Sequence, residues 1–111
     1  EMLNQNPKDE NAVAGLAQVG LLERSSNLNE NEIRKNASDK KNIDAQLELA
    51  DLELMNGNPE AGFSVLINAI KISSGADRDK LRERLIELFV VVGDSDPHVL
   101  KARRDLASAL F

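Results

Sequence analysis

The sequence predicts an all-α fold in which antiparallel helical hairpins stack into a short right-handed array of about six helices. The first observation is a repeat, because residues 12–21 and 45–54 carry the same apolar pattern 33 positions apart, with a Leu-Ala pair in register at 16–17 and 49–50. The second is that apolar residues recur at helical spacing and do not alternate as in a half-buried strand. Repeats of this length are typical of arrays in which each hairpin buries its apolar side only against its neighbours.

Helix starts are marked by three prolines, each of which follows Asn or Asp at positions 6–7, 58–59 and 96–97. A short polar side chain before the helix accepts a hydrogen bond from an unpaired backbone N–H, and the φ angle of the following proline already suits a helix. The sequence therefore predicts helix starts near Pro7, Pro59 and Pro97. A further helix is capped by either Asn42 or Asp44, and Gly57 and Gly93 predict two helix ends.

Apolar stripes predict six helices between these boundaries. We expect them at about 8–24, 28–41, 44–56, 59–73, 77–92 and 97–110, paired as hairpins over 7–41, 43–74 and 76–111. The segment 28–41 is rich in Asn and Lys, so we expect a short, marginal helix there. The stripe of the first helix consists of Val13, Leu16, Ala17 and Leu21. The most hydrophobic stripe consists of Leu81, Leu85, Leu88, Phe89 and Val92.

Length and composition exclude several classes of protein. Residues 1–111 suffice for one domain, with 41% hydrophobic and 30% charged residues. The net charge of −5 argues against a nucleic-acid surface, and no apolar run is long enough to span a membrane. The absence of cysteine excludes disulfides and is compatible with the cytoplasm, where we expect the protein. Because the chain begins Glu-Met-Leu, we expect a fragment of a longer protein.

Residues that could support catalysis or bind a metal are few. His98 is the only histidine, so no metal cluster or histidine-based triad can form around it. Its position after Asp96 and Pro97 predicts a surface or capping role. The glycine motifs that bind phosphates and the Gly-x-Ser-x-Gly nucleophile motif are absent. We therefore expect no enzyme activity, no cofactor and no metal site.

Three carboxylates, those of Asp44, Glu48 and Asp51, fall on one side of a predicted helix at positions i, i+4 and i+7. Paired carboxylates can act as acid and base or bind a hard cation. The loop ligands and the glycine-rich turn that would accompany such a cation site are missing. A solvated helix side explains the three residues most simply, and the functional alternative is an acidic strip that docks a basic partner segment.

Small residues occur where the helices of the middle hairpin are expected to cross. Its first helix carries the Leu-Ala pair at 49–50, and its second carries Gly62, Leu66 and Ala69. Tight helix pairing needs small residues where the backbones approach, with larger ones in the gaps. The order and sizes resemble the tetratricopeptide pattern, although Gln46 and Glu53 stand where aromatic residues are usual.

The C-terminal end carries a longer motif, with Asp-Pro-His-Val at 96–99 and Arg-Arg-Asp-Leu-Ala-Ser-Ala-Leu-Phe at 103–111. This end resembles that of bacterial thioredoxin-like tetratricopeptide proteins, the family of the co-chaperone called CnoX or YbbN, whose members end in a DP-V-RR-LAS-LF pattern. The resemblance extends over about residues 43–111. It implies a module that binds unfolded client proteins or the chaperonin, and a thioredoxin-like domain upstream in the full-length protein.

The residues that we predict to contact partners come from the acidic strip, the basic side of the last helix and the apolar end of the chain. They are Asp51, Met55, Lys101, Arg103, Arg104, Leu110 and Phe111. Each has a structural alternative, in ion pairing, core filling or closure of the array. The alternative function is a structural or dimerisation domain that positions an upstream thioredoxin-like redox domain. Whether the chain forms a homodimer stays open, and we expect neither nucleic acid nor a membrane as a partner.

Overall fold

The computed structural model describes the backbone of residues 10–110 and the side chains of residues 14–110. These residues form six α-helices, namely α1 (Glu10–Ser25), α2 (Glu30–Ala37), α3 (Ile43–Met55), α4 (Pro59–Lys71), α5 (Gly75–Val92) and α6 (Pro97–Leu110). Short turns join the helices, and residues 10–110 contain no strand. The predicted all-α fold is confirmed.

Two of the three predicted proline starts are observed. α4 begins at Pro59 and α6 begins at Pro97, whereas Pro7 lies outside the described residues. Asp96 caps α6, because its Oδ1 accepts a hydrogen bond from the backbone N–H of His98 at 2.8 Å. The fixed φ of proline and the adjacent acceptor therefore set these boundaries locally, without help from the tertiary structure.

Asparagine side chains cap two further helices. Asn42 Oδ1 accepts a hydrogen bond from the backbone N–H of Ala45 at 3.1 Å, so Asn42 and not Asp44 is the cap of α3. Asn29 Oδ1 accepts one from the backbone N–H of Glu32 at 3.0 Å at the start of α2. The polar segment before α3 is therefore a capped helix, although a shorter one than the sequence predicts.

Glycines end two helices as predicted. Gly57 follows the end of α3 with a φ of +82°, and Gly93 follows α5 with a φ of +116°. Residues that carry a Cβ atom are strained at positive φ angles, because the Cβ atom comes too close to the backbone. Both turns are thus encoded by single residues.

From α2 to α5 each helix packs mainly on the next helix in the chain, whereas α6 packs on α4 and makes few contacts with α5, which differs from the hairpin predicted over residues 76–111. α2 packs on α3, α3 on α4, and α4 on both α5 and α6. α1 instead lies against α5 and α3 and makes few contacts with α2, which differs from the hairpin predicted over residues 7–41. The physical reason lies in the buried side of α1, because Arg24 on that side forms hydrogen bonds to carboxylates of α3 and α5.

The core lies where α4 and α5 meet the other helices. Phe63 of α4 and Phe89 of α5 contact each other edge to face, with ring centroids 5.0 Å apart. The stripe predicted for α5 is confirmed at four of its five positions, which are buried, and Val92 is partly buried. The largest fully buried apolar side chains are Phe63, Phe89, Leu66, Ile70, Leu81, Leu85, Leu88 and Val99.

The predicted close approach of α3 and α4 occurs at Gly62. A Cβ atom at this position would lie 2.6 Å from Leu54 Cδ1 and 3.0 Å from the carbonyl oxygen of Ala50. The Leu54 methyl group can rotate away, but the Ala50 oxygen belongs to the backbone of α3. Gly62 is therefore needed for the crossing itself, as the tetratricopeptide-like spacing predicts.

Substitution of Gly62 by alanine is expected to destabilise the protein by about 1 kcal/mol. The overpacking costs about 1–3 kcal/mol, and the better helix propensity of alanine returns about 1 kcal/mol. Gly15 of α1 is the matched control, because a Cβ atom there meets nothing within 4 Å. Gly15→Ala should therefore stabilise the chain by about 0.5–1 kcal/mol. Urea unfolding followed by circular dichroism measures both changes, and equal effects of the two substitutions would contradict the close approach.

Gln46 stands where the tetratricopeptide pattern usually has an aromatic residue, and its side-chain amide is buried. Gln46 Nε2 donates hydrogen bonds to the carbonyl oxygens of Ala37 at 2.8 Å and Asp39 at 3.1 Å. The Ala37 oxygen lies at the end of α2, and the Asp39 oxygen lies in the following turn, where it also accepts a hydrogen bond from the backbone N–H of Asn42 at 3.0 Å. Gln46 therefore fixes the turn between α2 and α3.

Candidate functional site

Four charged side chains from α1, α3 and α5 form one connected group, which we call the arginine network: Arg24, Asp51, Arg84 and Glu87. Arg24 donates to both oxygens of Asp51, at 2.9 Å from Nε and 3.2 Å from Nη2. Arg84 Nη1 donates to Asp51 Oδ2 at 2.7 Å, and Arg24 Nη1 donates to Glu87 Oε2 at 2.8 Å. The network thus joins three helices through a carboxylate that is only 2% exposed.

Burial lowers the pKa of the two arginines, whereas their pairing with carboxylates raises it. Burial by itself lowers the pKa of Arg24, but the hydrogen bonds that Arg24 donates to Asp51 and Glu87 outweigh it, and the pKa lies above the ordinary value. Burial dominates at Arg84 and lowers its pKa, although the charge of Asp51 opposes the shift. Both guanidinium groups stay charged at neutral pH, because the ordinary pKa of arginine is so high.

Asp51 does not belong to an exposed acidic strip as the sequence suggests. Its carboxylate is buried and accepts three hydrogen bonds from arginines, so it stabilises the packing of α1, α3 and α5. Asp44 is 80% exposed and pairs with Lys80 at 2.9 Å, and Glu48 is also exposed. The three carboxylates share one helix side, but the array buries its C-terminal end.

A cleft of about 390 Å³ lies beside the arginine network, between α1, α3 and α5. Asp44, Glu48 and Asp51 line it together with Arg24, Lys80 and Arg84. The balance of charges means that the cleft has no strong preference for a cationic or an anionic ligand. Two of the three carboxylates in the predicted acidic docking strip, those of Asp44 and Asp51, are therefore paired with cations.

One side of α1 carries large apolar residues that are exposed. These are Leu16, Val19 and Leu22, which are 74%, 50% and 56% exposed, and we call them the α1 apolar face. They follow each other at intervals of three residues on the side of the helix opposite to the buried Ala17 and Leu21. The prediction that Leu16 belongs to the buried stripe is therefore wrong, because α1 packs by its other side.

The basic residues predicted on the last helix are exposed on α6. Lys101 pairs with Asp105 at 3.1 Å, and Arg103 pairs with Asp94 at 2.8 Å. The Arg103 guanidinium also lies over the ring of Phe89, at 4.9 Å from its centroid. The structural alternative of ion pairing thus holds for Lys101 and Arg103.

The other predicted contact residues are separated in the fold. Met55 is exposed at the end of α3, and Arg104 is exposed on α6. Leu110 is partly buried against the core, and Phe111 lies outside the described residues. The residues predicted from the sequence therefore do not form one continuous site with Asp51, which lies in the arginine network.

A groove that the sequence analysis missed runs along α4, and we call it the α4 groove. It has a volume of about 400 Å³, and its lining includes Lys40, Gln46, Val65, Ala69, Lys71 and Ile72. Lys40 comes from the turn between α2 and α3, whereas the last four residues come from α4 and its C-terminal end. The sequence contains no signal for this groove, because residues about 30 positions apart form it only after the hairpin has folded.

The chemistry around His98 is that of a helix start. His98 is exposed, and its Nδ1 lies 3.0 Å from Asp96 Oδ1, which also accepts the backbone N–H of the same residue. The pKa of Asp96 lies below its usual value, mainly because the backbone N–H of His98 stabilises the carboxylate. In the part of the chain that the structure describes, no three His, Asp or Glu side chains are grouped to hold a metal ion.

None of the helices between residues 10 and 110 is both long and apolar enough to cross a membrane.

The stacked helices and the small-residue crossing at Gly62 define a helical repeat protein. The family model described as tetratricopeptide repeat matches residues 23–111. The chain therefore belongs to the tetratricopeptide repeat family, whose domains generally mediate binding between proteins. This agrees with the sequence pattern of the middle hairpin.

The chain is also similar to two mycobacterial proteins. It is 34% identical over 110 residues to the uncharacterized protein Rv1324 of Mycobacterium tuberculosis and to the uncharacterized protein Mb1359 of Mycobacterium bovis. Each match covers 99% of this chain and 36% of the relative, so the chain spans about a third of the length of these relatives. No solved structure matches the chain at a significant level.

Proposed function

We propose that this chain is the protein-binding domain of a bacterial thioredoxin-like chaperone or co-chaperone, which binds unfolded clients or a chaperonin and has no catalytic activity of its own. The α1 apolar face is the observation that supports this function best. Unfolded proteins expose apolar side chains, and an exposed apolar strip can bind them without a specific sequence. The resemblance of the C-terminal end to the thioredoxin-like family points in the same direction.

The arginine network supports this proposal through the placement of α1. Arg24 fixes the C-terminal half of α1 against α3 and α5, while Leu16, Val19 and Leu22 point away from them. The apolar side chains are thus presented on an anchored helix, which loses less conformational entropy on binding than a mobile segment would. We place this function in the cytoplasm, because a chain without cysteine suits a reducing compartment.

A second candidate function uses the same face. The domain would then dimerise, or would position an upstream thioredoxin-like domain, by covering the α1 apolar face permanently. The length of the mycobacterial relatives favours this candidate, because about two thirds of each relative lies outside the match. In this case the face is a structural interface and does not bind clients.

Light scattering of heat-unfolded citrate synthase tests the proposed function. The 111-residue chain should slow the aggregation of this client. The double substitution Leu16→Glu, Leu22→Glu should abolish the protection, because it places charges on the α1 apolar face. Ile86→Glu is the matched control, since Ile86 is also exposed but lies on α5, and it should retain protection.

Two outcomes would contradict client binding by this face. The wild-type chain would fail to slow aggregation, or the double variant would protect as well as the wild type. Sedimentation equilibrium tests the dimerisation form of the second candidate, which predicts a mass that rises with concentration in the wild type and stays constant in the double variant. Far-UV circular dichroism of all variants shows whether the helices are retained.

A further inference from the structure

The floor of the α4 groove is apolar. Val65, Ala69 and Ile72 follow each other at i, i+4 and i+7 along α4 and its C-terminal end, which places them on one side of the helix. Ala69 is buried, Val65 is partly buried, and Ile72 is 58% exposed. The groove thus offers an apolar surface with room for a large side chain in its volume of about 400 Å³.

Two lysines supply the charge of the groove. Lys40 and Lys71 are both exposed and line it, and none of the other lining residues is acidic. Neither ammonium group forms an ion pair within residues 14–110, whereas six other cations there pair with Asp or Glu. In a chain with a net charge of −5, the groove is therefore a local positive surface.

Hydrogen bonds fix both walls of the groove. Gln46 holds the turn that carries Lys40 through the carbonyl oxygens of Ala37 and Asp39. Ser73 Oγ donates to the carbonyl oxygen of Ala69 at 2.7 Å at the end of α4. A groove with both walls held in this way is already formed before a ligand binds, which reduces the entropy lost on binding.

We propose that the α4 groove binds an acidic protein segment in which carboxylates flank a large apolar side chain. The apolar side chain packs on Val65, Ala69 and Ile72, and the carboxylates lie next to Lys40 and Lys71. Charge complementarity selects an acidic partner over a neutral or basic one. A nucleic acid fits less well, because the groove lining has an apolar floor, only two cations and no aromatic side chain on which bases could stack. This proposal does not depend on client binding by the α1 apolar face.

Fluorescence anisotropy with a labelled synthetic peptide tests the proposal. The probe is a short peptide of Asp and Glu residues around a central Leu-Phe pair, titrated with the full 111-residue chain. The double substitution Lys40→Glu, Lys71→Glu should raise the Kd about tenfold or more, because two attractive charges become repulsive. Ile72→Ser should weaken binding as well. Arg82→Glu on α5 changes the net charge by the same amount per residue, lies outside the groove lining, and should leave the Kd within about twofold.

Control peptides separate the groove from general charge attraction. A peptide with lysine in place of every acid should not bind, and one with alanine in place of Leu and Phe should bind more weakly. Equal binding of the alanine peptide would overturn the proposal, because only unspecific attraction would remain. An unchanged Kd for the double lysine variant would overturn it too, provided that its circular dichroism spectrum matches that of the wild type.

Discussion

Replacing Asp51 with alanine is expected to destabilise the fold by about 3 kcal/mol, which is one of the two largest effects that the structure predicts. The substitution leaves Arg24 and Arg84 close together with no carboxylate between them. Removing one partner of a buried ion pair costs about 3–5 kcal/mol, because the remaining charge is buried without compensation. The lower end applies here, since Arg24 keeps its ion pair with Glu87 and both arginine side chains are partly exposed.

The matched control for Asp51 is Asp44 on the same helix. The Asp44 side chain is 80% exposed and pairs with Lys80. Asp44→Ala removes this ion pair and should destabilise the fold by less than about 1 kcal/mol. Urea unfolding at neutral pH, followed by circular dichroism, gives both free energies of unfolding. Similar losses for the two variants would mean that the arginine network contributes no more than a surface ion pair.

The effect of Asp51 also bears on function. Because the network fixes α1, Asp51→Ala should loosen the helix that carries the α1 apolar face. A loss of client protection in this variant would therefore reflect the position of α1 and not a direct contact of Asp51 with the client. The surface substitutions at Leu16 and Leu22 test the contact itself.

Replacing Phe89 with alanine is expected to destabilise the fold by about 3–5 kcal/mol. The Phe89 ring is fully buried and packs edge to face on Phe63 of α4, while Arg103 of α6 covers its face. The substitution leaves a cavity between three helices that cannot collapse without moving α4, and it also removes the aromatic and cation–π contacts. The melting temperature and the urea midpoint should both fall sharply.

Ile86 on the same helix provides the control for Phe89. Its side chain is exposed, so Ile86→Ala should cost about 1 kcal/mol or less. A loss of less than about 1 kcal/mol for Phe89→Ala would contradict the packing of this ring in the core. Arg103→Ala should cost far less than Phe89→Ala, because an exposed guanidinium adds only about 0.5–1 kcal/mol to such a ring.

Local chemistry explains why the helix boundaries were predictable. Asn42, Pro59, Asp96 and Pro97 act within one helical turn, and Gly57 acts through its own φ angle. The crossing at Gly62 was predictable for a similar reason, because the spacing of small residues is set by helix geometry alone. These features depend on near neighbours in the chain.

The candidate site was less predictable, because it depends on residues that are distant in sequence. The positions of Asp51 and Arg24 differ by 27, and those of Arg24 and Glu87 by 63. The α4 groove similarly combines Lys40 with Lys71. Nothing in the local pattern shows which charged side chains will meet or which will stay solvated.

By itself the sequence determined the helical class, most helix boundaries and the repeat, in which Ala17 and Ala50 occupy equivalent positions and are both buried. Only the tertiary structure decided whether the neighbouring leucines are covered, because Leu49 is partly buried whereas Leu16 is 74% exposed. Helical periodicity marks an apolar side, but the neighbouring helices decide whether that side is covered. α1 packs on α3 and α5 by the side that carries Arg24, which leaves the α1 apolar face uncovered.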